Sequence, residues 1–161
     1  MAETSTFLYE AQVQWNRERE GKLGGAGVES ISVGAPPEFK GRTGNWSPEQ
    51  LLVGSVNTCL MLTYLAIAEN SKIHTVSYSS TAKGRLEKGS GGLQITEIIV
   101  KPRVVVTSPE ELRRLPKVLE KAKEGCFISN SIKAAVKLEP EISAGEAQAT
   151  TEPAPRTEPD Q

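Results

Sequence analysis

Residues 47–70 read SPEQLLVGSVNTCLMLTYLAIAEN, and none of residues 50–68 is charged. Ser47 is a good N-cap, Pro48 suits the first helical position, and the Glu49 carboxylate would face the positive end of the helix dipole. The stretch therefore predicts a helix that starts at Pro48 and ends at about Asn70. Its large apolar residues lie on nearly all sides, as in a helix that is covered all round. One small sheet covers one side, so we expect a homodimer packed through this helix.

A membrane-spanning helix is the alternative for this stretch. Residues 51–68 would rise about 27 Å at 1.5 Å per residue, close to the thickness of a bilayer core. The polar residues inside the stretch and the acidic residues at both ends argue against a span, since membrane helices are typically flanked by Lys and Arg. The start of the sequence, MAETSTFLYE, lacks the basic and apolar regions of a signal peptide. We therefore expect a cytoplasmic protein with no membrane partner.

Alternating polar and apolar residues predict two antiparallel hairpins around this helix. The strands of the two hairpins are, in chain order, residues 7–15 and 28–33, then residues 75–86 and 93–106. A second Ser-Pro-Glu start at Ser108 predicts another helix that stops at Gly125, and a last strand follows over residues 134–142. The order ββ-α-ββ-α-β predicts an α+β fold, with hairpin strands around a long buried central helix.

The end of the sequence differs in composition from the rest. Residues 143–161 contain three prolines, no aromatic residue and no aliphatic residue larger than alanine. Such a segment cannot bury enough apolar surface to offset the entropy that it would lose on ordering. We predict one domain over residues 1–142 and a disordered acidic tail over residues 143–161.

Charge and metal-binding residues limit the possible function classes. The chain has 19 Lys and Arg against 20 Asp and Glu, without a basic cluster, which disfavours a nucleic-acid-binding protein. One histidine and two cysteines without C-x-x-C spacing do not supply the usual ligand set for zinc or haem. Cytoplasmic cysteines are normally reduced. Cys59 and Cys126 are therefore either reactive thiols or structural residues. As structural residues, Cys59 would be a small apolar residue inside a helix and Cys126 would be part of a helix stop.

Both cysteines lie in motifs that resemble those of the OsmC/Ohr family. Residues 47–59, SPEQLLVGSVNTC, are similar to the family's PEQL run, in which an acid lies ten residues before the reactive cysteine, as Glu49 does here. Residues 125–131, GCFISNS, are similar to the second-cysteine motif C-P-x-S-N, with Phe127 in place of the proline. The resemblance spans about residues 7–142 and includes the order of the elements.

The family's active-site arginine has three candidates in this chain. Residues 8–21, LYEAQVQWNREREG, resemble the Ohr strand and its arginine turn, which places Arg19 in that role. Arg17 and Arg42 are the alternatives. In OsmC proper the arginine lies next to a Phe-x-Gly before the helix, and the matching residues 38–41, EFKG, lack it. The resemblance therefore leaves the branch of the family open.

The resemblance implies a thiol-dependent peroxidase that reduces organic hydroperoxides in oxidative-stress defence. Cys59 would attack the peroxide as a thiolate and become a sulfenic acid, and Cys126 would condense with it to a disulfide. Arg19 would stabilise the thiolate, and Glu49 would hold the arginine in place. An external dithiol of lipoyl type would reduce the disulfide, with no bound cofactor or metal. The alternative is a non-catalytic dimer of the same fold that binds an apolar ligand or a protein partner.

Three expectations concern the surroundings of the cysteines. His74 is expected at the surface. Ten helical residues separate Glu49 from Cys59 by about 15 Å, so we expect the site to be built across the dimer, with a Glu49–Arg19 pair of one subunit facing both cysteines of the other. We also expect an apolar pocket that favours alkyl or lipid hydroperoxides over hydrogen peroxide, lined by Val56, Leu62, Phe127 and Ile128.

Overall fold

The computed structural model describes residues 5–146, and this part of the chain forms two α-helices and seven strands. The α+β prediction is confirmed. Ser47 and Ser108 both begin helices, since each side chain accepts a hydrogen bond from the backbone N–H three residues further on. The helices are α1 (Pro48–Asn70) and α2 (Pro109–Glu124). The strands are β1 (Gln12–Arg17), β2 (Glu20–Gly25), β3 (Val28–Gly34), β4 (Thr75–Gly89), β5 (Gly92–Val106), β6 (Ala135–Leu138) and β7 (Glu141–Ala144).

The first sheet is a three-stranded antiparallel meander in the order β1-β2-β3. The predicted two-stranded hairpin is wrong, because the glycine-rich segment forms the middle strand β2 instead of a turn. Gly21 permits its close pairing with β1, since a Cβ there would lie 2.6 Å from the Gln14 carbonyl oxygen. The chain instead reverses near Glu18, with a φ of 44°, and near Gly27, with a φ of 76°.

The second sheet is centred on β5. Strand β4 pairs with β5 as the predicted antiparallel hairpin, whereas β6 and β7 both pair with β5 in parallel. The single last strand predicted over residues 134–142 is thus two strands, and α2 forms the crossover that parallel pairing requires.

The predicted domain boundary at residue 142 lies too early. Ser143 and Ala144 belong to β7 and pair with the end of β5, so the ordered domain continues beyond the predicted limit. Residues 147–161, which make up the rest of the predicted tail, lie outside the described residues.

The core lies between the two helices and the second sheet. In α1 every fourth residue along one stripe is almost completely buried, namely Val56, Leu60, Tyr64 and Ala68. This stripe packs with an apolar face of α2 and with alternate residues of β5, among them Leu115, Leu119, Val100 and Val104. The packing of α1 on α2 places the middle of α1 beside the end of α2, where the Thr63 Cγ2 atom would lie 3.5 Å from a Cβ at Gly125.

The other side of α1 is partly open in a single chain. Leu62 is 57% exposed, so the cover predicted on all sides of the helix is incomplete here. By length and composition α1 could cross a membrane, but its buried stripe belongs to the protein core. The first sheet is open as well, and Trp15 on β1 is 73% exposed. One chain therefore leaves two apolar surfaces uncovered, on α1 and on β1.

Candidate active site

The two cysteines come together where α1 packs on the end of α2. Cys59 lies in the middle of α1 and is partly buried, and Cys126 directly follows Gly125, the C-cap of α2, and is fully buried. Both thiols are free, and the two side chains lie close enough for each to affect the pKa of the other. Four residues are predicted for the site, and the structure brings two of them, the cysteines, close together within one chain.

The surroundings of Cys59 favour its thiolate. Partial burial acts to raise the pKa of this thiol, but hydrogen bonds from the Ile128 N–H, the Cys126 thiol, Thr63 and the Phe127 N–H outweigh it and hold the pKa below its ordinary value. The Thr63 hydroxyl lies 4.0 Å from the Cys59 sulfur, but its proton is donated to the Cys59 carbonyl oxygen at 2.8 Å, so its contact with the sulfur is weak. Neutral donors of one chain thus stabilise the charged sulfur.

The pKa of Cys126 is shifted in the opposite direction. Burial raises the pKa of this thiol, Ser129 acts to lower it, and the adjacent Cys59 sulfur acts to raise it. Cys126 therefore keeps its proton while Cys59 ionises, and it can donate that proton to the Cys59 thiolate in a hydrogen bond. The pair consists of one nucleophilic sulfur and one protonated neighbour.

The turn after α2 holds its own backbone in place by several hydrogen bonds. The Asn130 backbone N–H donates to the Cys126 carbonyl oxygen at 3.0 Å, and its side-chain amide donates to the Glu124 carbonyl oxygen at 2.9 Å. The Ser131 hydroxyl donates to the Phe127 carbonyl oxygen at 2.7 Å. These bonds hold the turn beside Cys59, where the N–H groups of Phe127 and Ile128 act to lower the pKa of its thiol.

Cys59 opens into a largely apolar cleft of about 840 Å³ that runs along one face of α1. The predicted pocket is correct for Leu62 and Phe127, which line this cleft. It is wrong for Val56, which is fully buried in the core, and for Ile128, which packs against the core. Other lining residues are Ile31, Trp46, Leu51, Gly54, Thr63 and Ala66.

Glu49 lines a different cavity. This cavity, of about 580 Å³, lies at the start of α1 and also includes Arg42. One carboxylate oxygen of Glu49, Oε2, is buried and accepts no hydrogen bond from residues 5–146. Within one chain, Glu49 therefore does not share a cavity with Cys59, as the helical separation predicted.

The candidate arginines are all engaged elsewhere in a single chain. Arg19, in the turn between β1 and β2, donates to the Phe39 carbonyl oxygen at 2.6 Å. Arg17 pairs with Glu20 at 3.3 Å, and Arg42 pairs with Glu18 at 3.1 Å. Arg42 rather than Arg19 lines the Glu49 cavity. The expected stabilisation of the Cys59 thiolate by Arg19 is thus not formed within one chain.

Sequence analysis missed Thr63 and the two backbone donors. Thr63 follows Cys59 by four residues, and this spacing places both on one helix face, so the spacing could have identified it. A proline has no N–H, so Phe127 in the place of the family's proline was the signal for one backbone donor. The orientation of the Ile128 N–H depends on how the turn packs on α1, which no local pattern shows.

A second polar cluster joins the start of β4 to the start of α2. His74 is exposed, as predicted, and its Nδ1 lies 2.7 Å from Glu111 Oε1. Glu111 also accepts hydrogen bonds from the Thr107 hydroxyl and the His74 N–H, which lower the pKa of its carboxyl to about 2. No group of three or more His, Cys, Asp or Glu in the described part of the chain is placed to hold a metal ion.

Comparison with known proteins gives a consistent set of relatives. The family model for OsmC-like protein matches residues 41–141. The uncharacterized protein YmaD of Bacillus subtilis is 28% identical over 141 residues, which cover 85% of this chain and 93% of YmaD. Peroxiredoxin OsmC of Escherichia coli is 24% identical over 144 residues, 86% of this chain and 99% of that protein. A solved OsmC-like protein of unknown function from Vibrio cholerae superposes with a TM-score of 0.78 at 29% identity, covering 84% of this chain and 99% of the other.

Proposed function

The chain belongs to the OsmC/Ohr family, and on that premise we propose that it is a cysteine-based peroxidase that reduces organic hydroperoxides to alcohols. The observation that carries the proposal is the thiol pair. Cys59 has a lowered pKa, contacts a Cys126 thiol of raised pKa and opens into an apolar cleft. The name of one relative, peroxiredoxin OsmC, is in keeping with this activity.

The first step transfers one oxygen atom to Cys59. The thiolate attacks the terminal oxygen of the hydroperoxide, so that an S–O bond forms while the O–O bond breaks. The leaving alkoxide takes up a proton and departs as the alcohol, and Cys59 remains as a sulfenic acid. The N–H groups of Phe127 and Ile128 favour the thiolate form of the attacking sulfur.

The second step closes the cycle through Cys126. Its sulfur attacks the Cys59 sulfur, an S–S bond forms, and water leaves with the Cys126 proton and the sulfenic oxygen. The contact between the two side chains supports this step, since little movement is needed. An external dithiol, of the lipoyl type, supplies the two electrons that restore both thiols, and no bound cofactor or metal takes part.

We place this chemistry in a cytoplasmic homodimer that acts in oxidative-stress defence without a membrane or nucleic-acid partner. The uncovered apolar surfaces of α1 and β1 support the dimer, because exposed residues outside the cleft, such as Leu65 and Trp15, would be covered by a second copy. In the dimer, Glu49 and an arginine of one subunit would face Cys59 of the other. The cavity at the start of α1, which Glu49 and Arg42 line together, supports the pairing of the acid with an arginine of its own subunit. Arg19 and Arg42 both remain candidates, and the Glu49 cavity favours Arg42.

Thiol consumption by peroxide tests the proposal. Reduced protein is mixed with cumene hydroperoxide, and the loss of thiols and the formation of cumyl alcohol are followed together. We expect both in the unmodified protein and neither in Cys59→Ser, because the nucleophile is absent. If the unmodified protein consumes no thiols and forms no alcohol, the peroxidase proposal is wrong. The non-catalytic alternative, in which the 840 Å³ cleft binds an apolar ligand, would then be tested by binding of the same compound.

A further inference from the structure

The turn after α2 contains two serine hydroxyls, and they differ in their hydrogen bonding. The Ser131 hydroxyl donates to the Phe127 carbonyl oxygen at 2.7 Å. The Ser129 hydroxyl oxygen is buried and has no hydrogen-bond partner among residues 5–146. A buried hydroxyl without a partner destabilises the fold, because it has lost its bonds to water and gained none. The position of Ser129 therefore calls for a reason other than folding.

Ser129 lies beside the Cys126 sulfur. It follows Cys126 by three residues and begins a short 3-10 helix, Ser129–Ser131. The Asn130 N–H donates to the Cys126 carbonyl oxygen at 3.0 Å and so closes one helical turn. Side chains three residues apart on such a turn lie on the same side. Because Cys126 is fully buried, its sulfur and the Ser129 hydroxyl meet away from solvent.

The charge on the Cys126 sulfur decides how strong this contact is. A thiol sulfur is a weak hydrogen-bond acceptor, so the resting thiol leaves the Ser129 hydroxyl without a regular bond. A thiolate is a charged acceptor, and hydrogen bonds to charged groups are stronger. In keeping with this, the Ser129 hydroxyl and N–H act to lower the pKa of Cys126, against the burial that raises it. The interaction is therefore strongest in the state in which Cys126 reacts.

We propose that Ser129 takes part in disulfide formation, by donating a hydrogen bond from its hydroxyl to the Cys126 sulfur as this sulfur gives up its proton and attacks the oxidised Cys59. The inference rests on the proposed peroxidase function. The S–S bond forms while the S–O bond of the sulfenic acid breaks, and the Cys126 proton leaves with the sulfenic oxygen as water. Ser129 keeps its own proton and stabilises the charge that develops on the attacking sulfur.

Competition between disulfide formation and overoxidation measures this step. The sulfenic acid of Cys59 reacts either with Cys126 or with a second molecule of cumene hydroperoxide, which gives sulfinic acid. Mass spectrometry gives the ratio of sulfinic acid to disulfide, which does not depend on the fraction of active protein. We expect Ser129→Ala to raise this ratio about tenfold at neutral pH, as for the loss of a hydrogen bond to a charged group. The rate at which Cys59 cleaves the peroxide should stay within about twofold.

The pH profile of disulfide formation separates this role from a structural one. The rate rises with pH as Cys126 ionises, and Cys59 is the one titratable group of the described residues that shifts the pKa of Cys126. Loss of the hydroxyl raises that pKa further, so a tenfold effect moves the midpoint up by about one pH unit and disappears above both midpoints. A displaced Cys126 would react more slowly by the same factor at every pH.

Two further variants serve as controls for the turn. Ser131→Ala removes the hydroxyl that is already paired with the Phe127 carbonyl oxygen, so it should leave the midpoint in place even where it slows the reaction. Ser129→Thr keeps a hydroxyl at the same position and should return the midpoint towards that of the unmodified protein.

The ratio and the midpoint together decide the outcome. A raised ratio with a higher midpoint in Ser129→Ala supports the inference. An unchanged ratio, or one raised by the same factor at every pH, overturns it. A failure of the proposed function gives a different result, since the unmodified protein would then form neither disulfide nor sulfinic acid with cumene hydroperoxide, and the inference would fall with it.

Discussion

Replacement of Cys126 tests how far the Cys59 thiolate depends on its neighbour. Cys126→Ala removes the S–H group that donates to Cys59, whereas Cys126→Ser keeps a hydroxyl donor at the same position. Either change leaves Cys59 as the single thiol of the chain, so a thiol titration reports one group. The two variants therefore differ in the hydrogen-bond donor and otherwise match closely.

The size of the effect follows from the geometry of the pair. A hydrogen bond to a charged acceptor contributes about 1.5–3 kcal/mol, but an S–H group is a weak donor. Solvent also reaches the partly buried Cys59 sulfur, so about 0.7 kcal/mol is a reasonable value for this bond after screening. At 1.36 kcal/mol for each factor of ten, its loss lowers the thiolate fraction about threefold at a pH well below the pKa.

The rate of iodoacetamide alkylation against pH measures that fraction. We expect Cys126→Ala to react about threefold more slowly than Cys126→Ser at the acidic end of the profile, since its pKa is higher, and equally fast at high pH. Thr63→Val is a control for the other side of the sulfur and should have a smaller effect, because its hydroxyl lies 4.0 Å away. Coinciding profiles for the alanine and serine variants would show that the Cys126 thiol does not stabilise the thiolate.

Four further changes test other parts of the site and fold. Phe127→Pro removes a backbone N–H donor and should raise the pKa of Cys59, whereas Phe127→Ala should leave it unchanged; alkylation profiles compare them. Cys126→Ser should allow one turnover and then oxidation of Cys59 to sulfinic acid in excess peroxide, detectable by mass spectrometry. Repeated turnover in this variant would contradict the resolving role of Cys126. Mixing inactive Glu49→Ala with inactive Cys59→Ser should restore activity through hybrid dimers, and no recovery after verified subunit exchange would place the whole site in one chain. Glu111→Gln should lower the melting temperature at neutral pH. The folded pKa of Glu111, about 2, lies below the ordinary 4.5, so the ionised carboxylate stabilises the fold above about pH 4.5. The difference in melting temperature between the variant and the unmodified protein should shrink as the pH falls towards 2.

The parts of the fold that local sequence signals specify were predicted well. Both helices start at the predicted Ser-Pro-Glu segments, because a cap, a proline and an acid act within a single turn. The strand β2 was missed because its glycines are typical of turns, and strand pairing with β1 and β3 overrides that preference. The parallel pairing of β6 and β7 depends on where the α2 crossover returns the chain, which is a tertiary property.

The candidate site divides in the same way. Cys59 and Cys126 were identified from their motifs, and the packing of α1 on α2 brings them into contact. The donors around Cys59 were not identified, because two of them are backbone groups whose direction is set by the turn after α2. Val56 was placed in the pocket in error, since its apolar character suits the core and the cleft equally and helical phase alone decides between them.

The groups that stabilise the Cys59 thiolate within one chain limit the role that an active-site arginine has to fill. The groups that lower the pKa of Cys59 are two N–H groups, a thiol and a hydroxyl, all uncharged and all within the same chain. Such dipoles are fixed by the fold and are little affected by salt, unlike an exposed ion pair. Part of the stabilisation of the Cys59 thiolate therefore comes from groups other than Arg19 or Arg42. A positive charge delivered by a second subunit has its largest effect where charge develops during the reaction, on the oxygen that leaves when the O–O bond breaks. On this argument, loss of the arginine or of Glu49 slows peroxide cleavage far more than it slows alkylation of Cys59, and the two assays separate a group that makes the thiolate from one that acts on the peroxide.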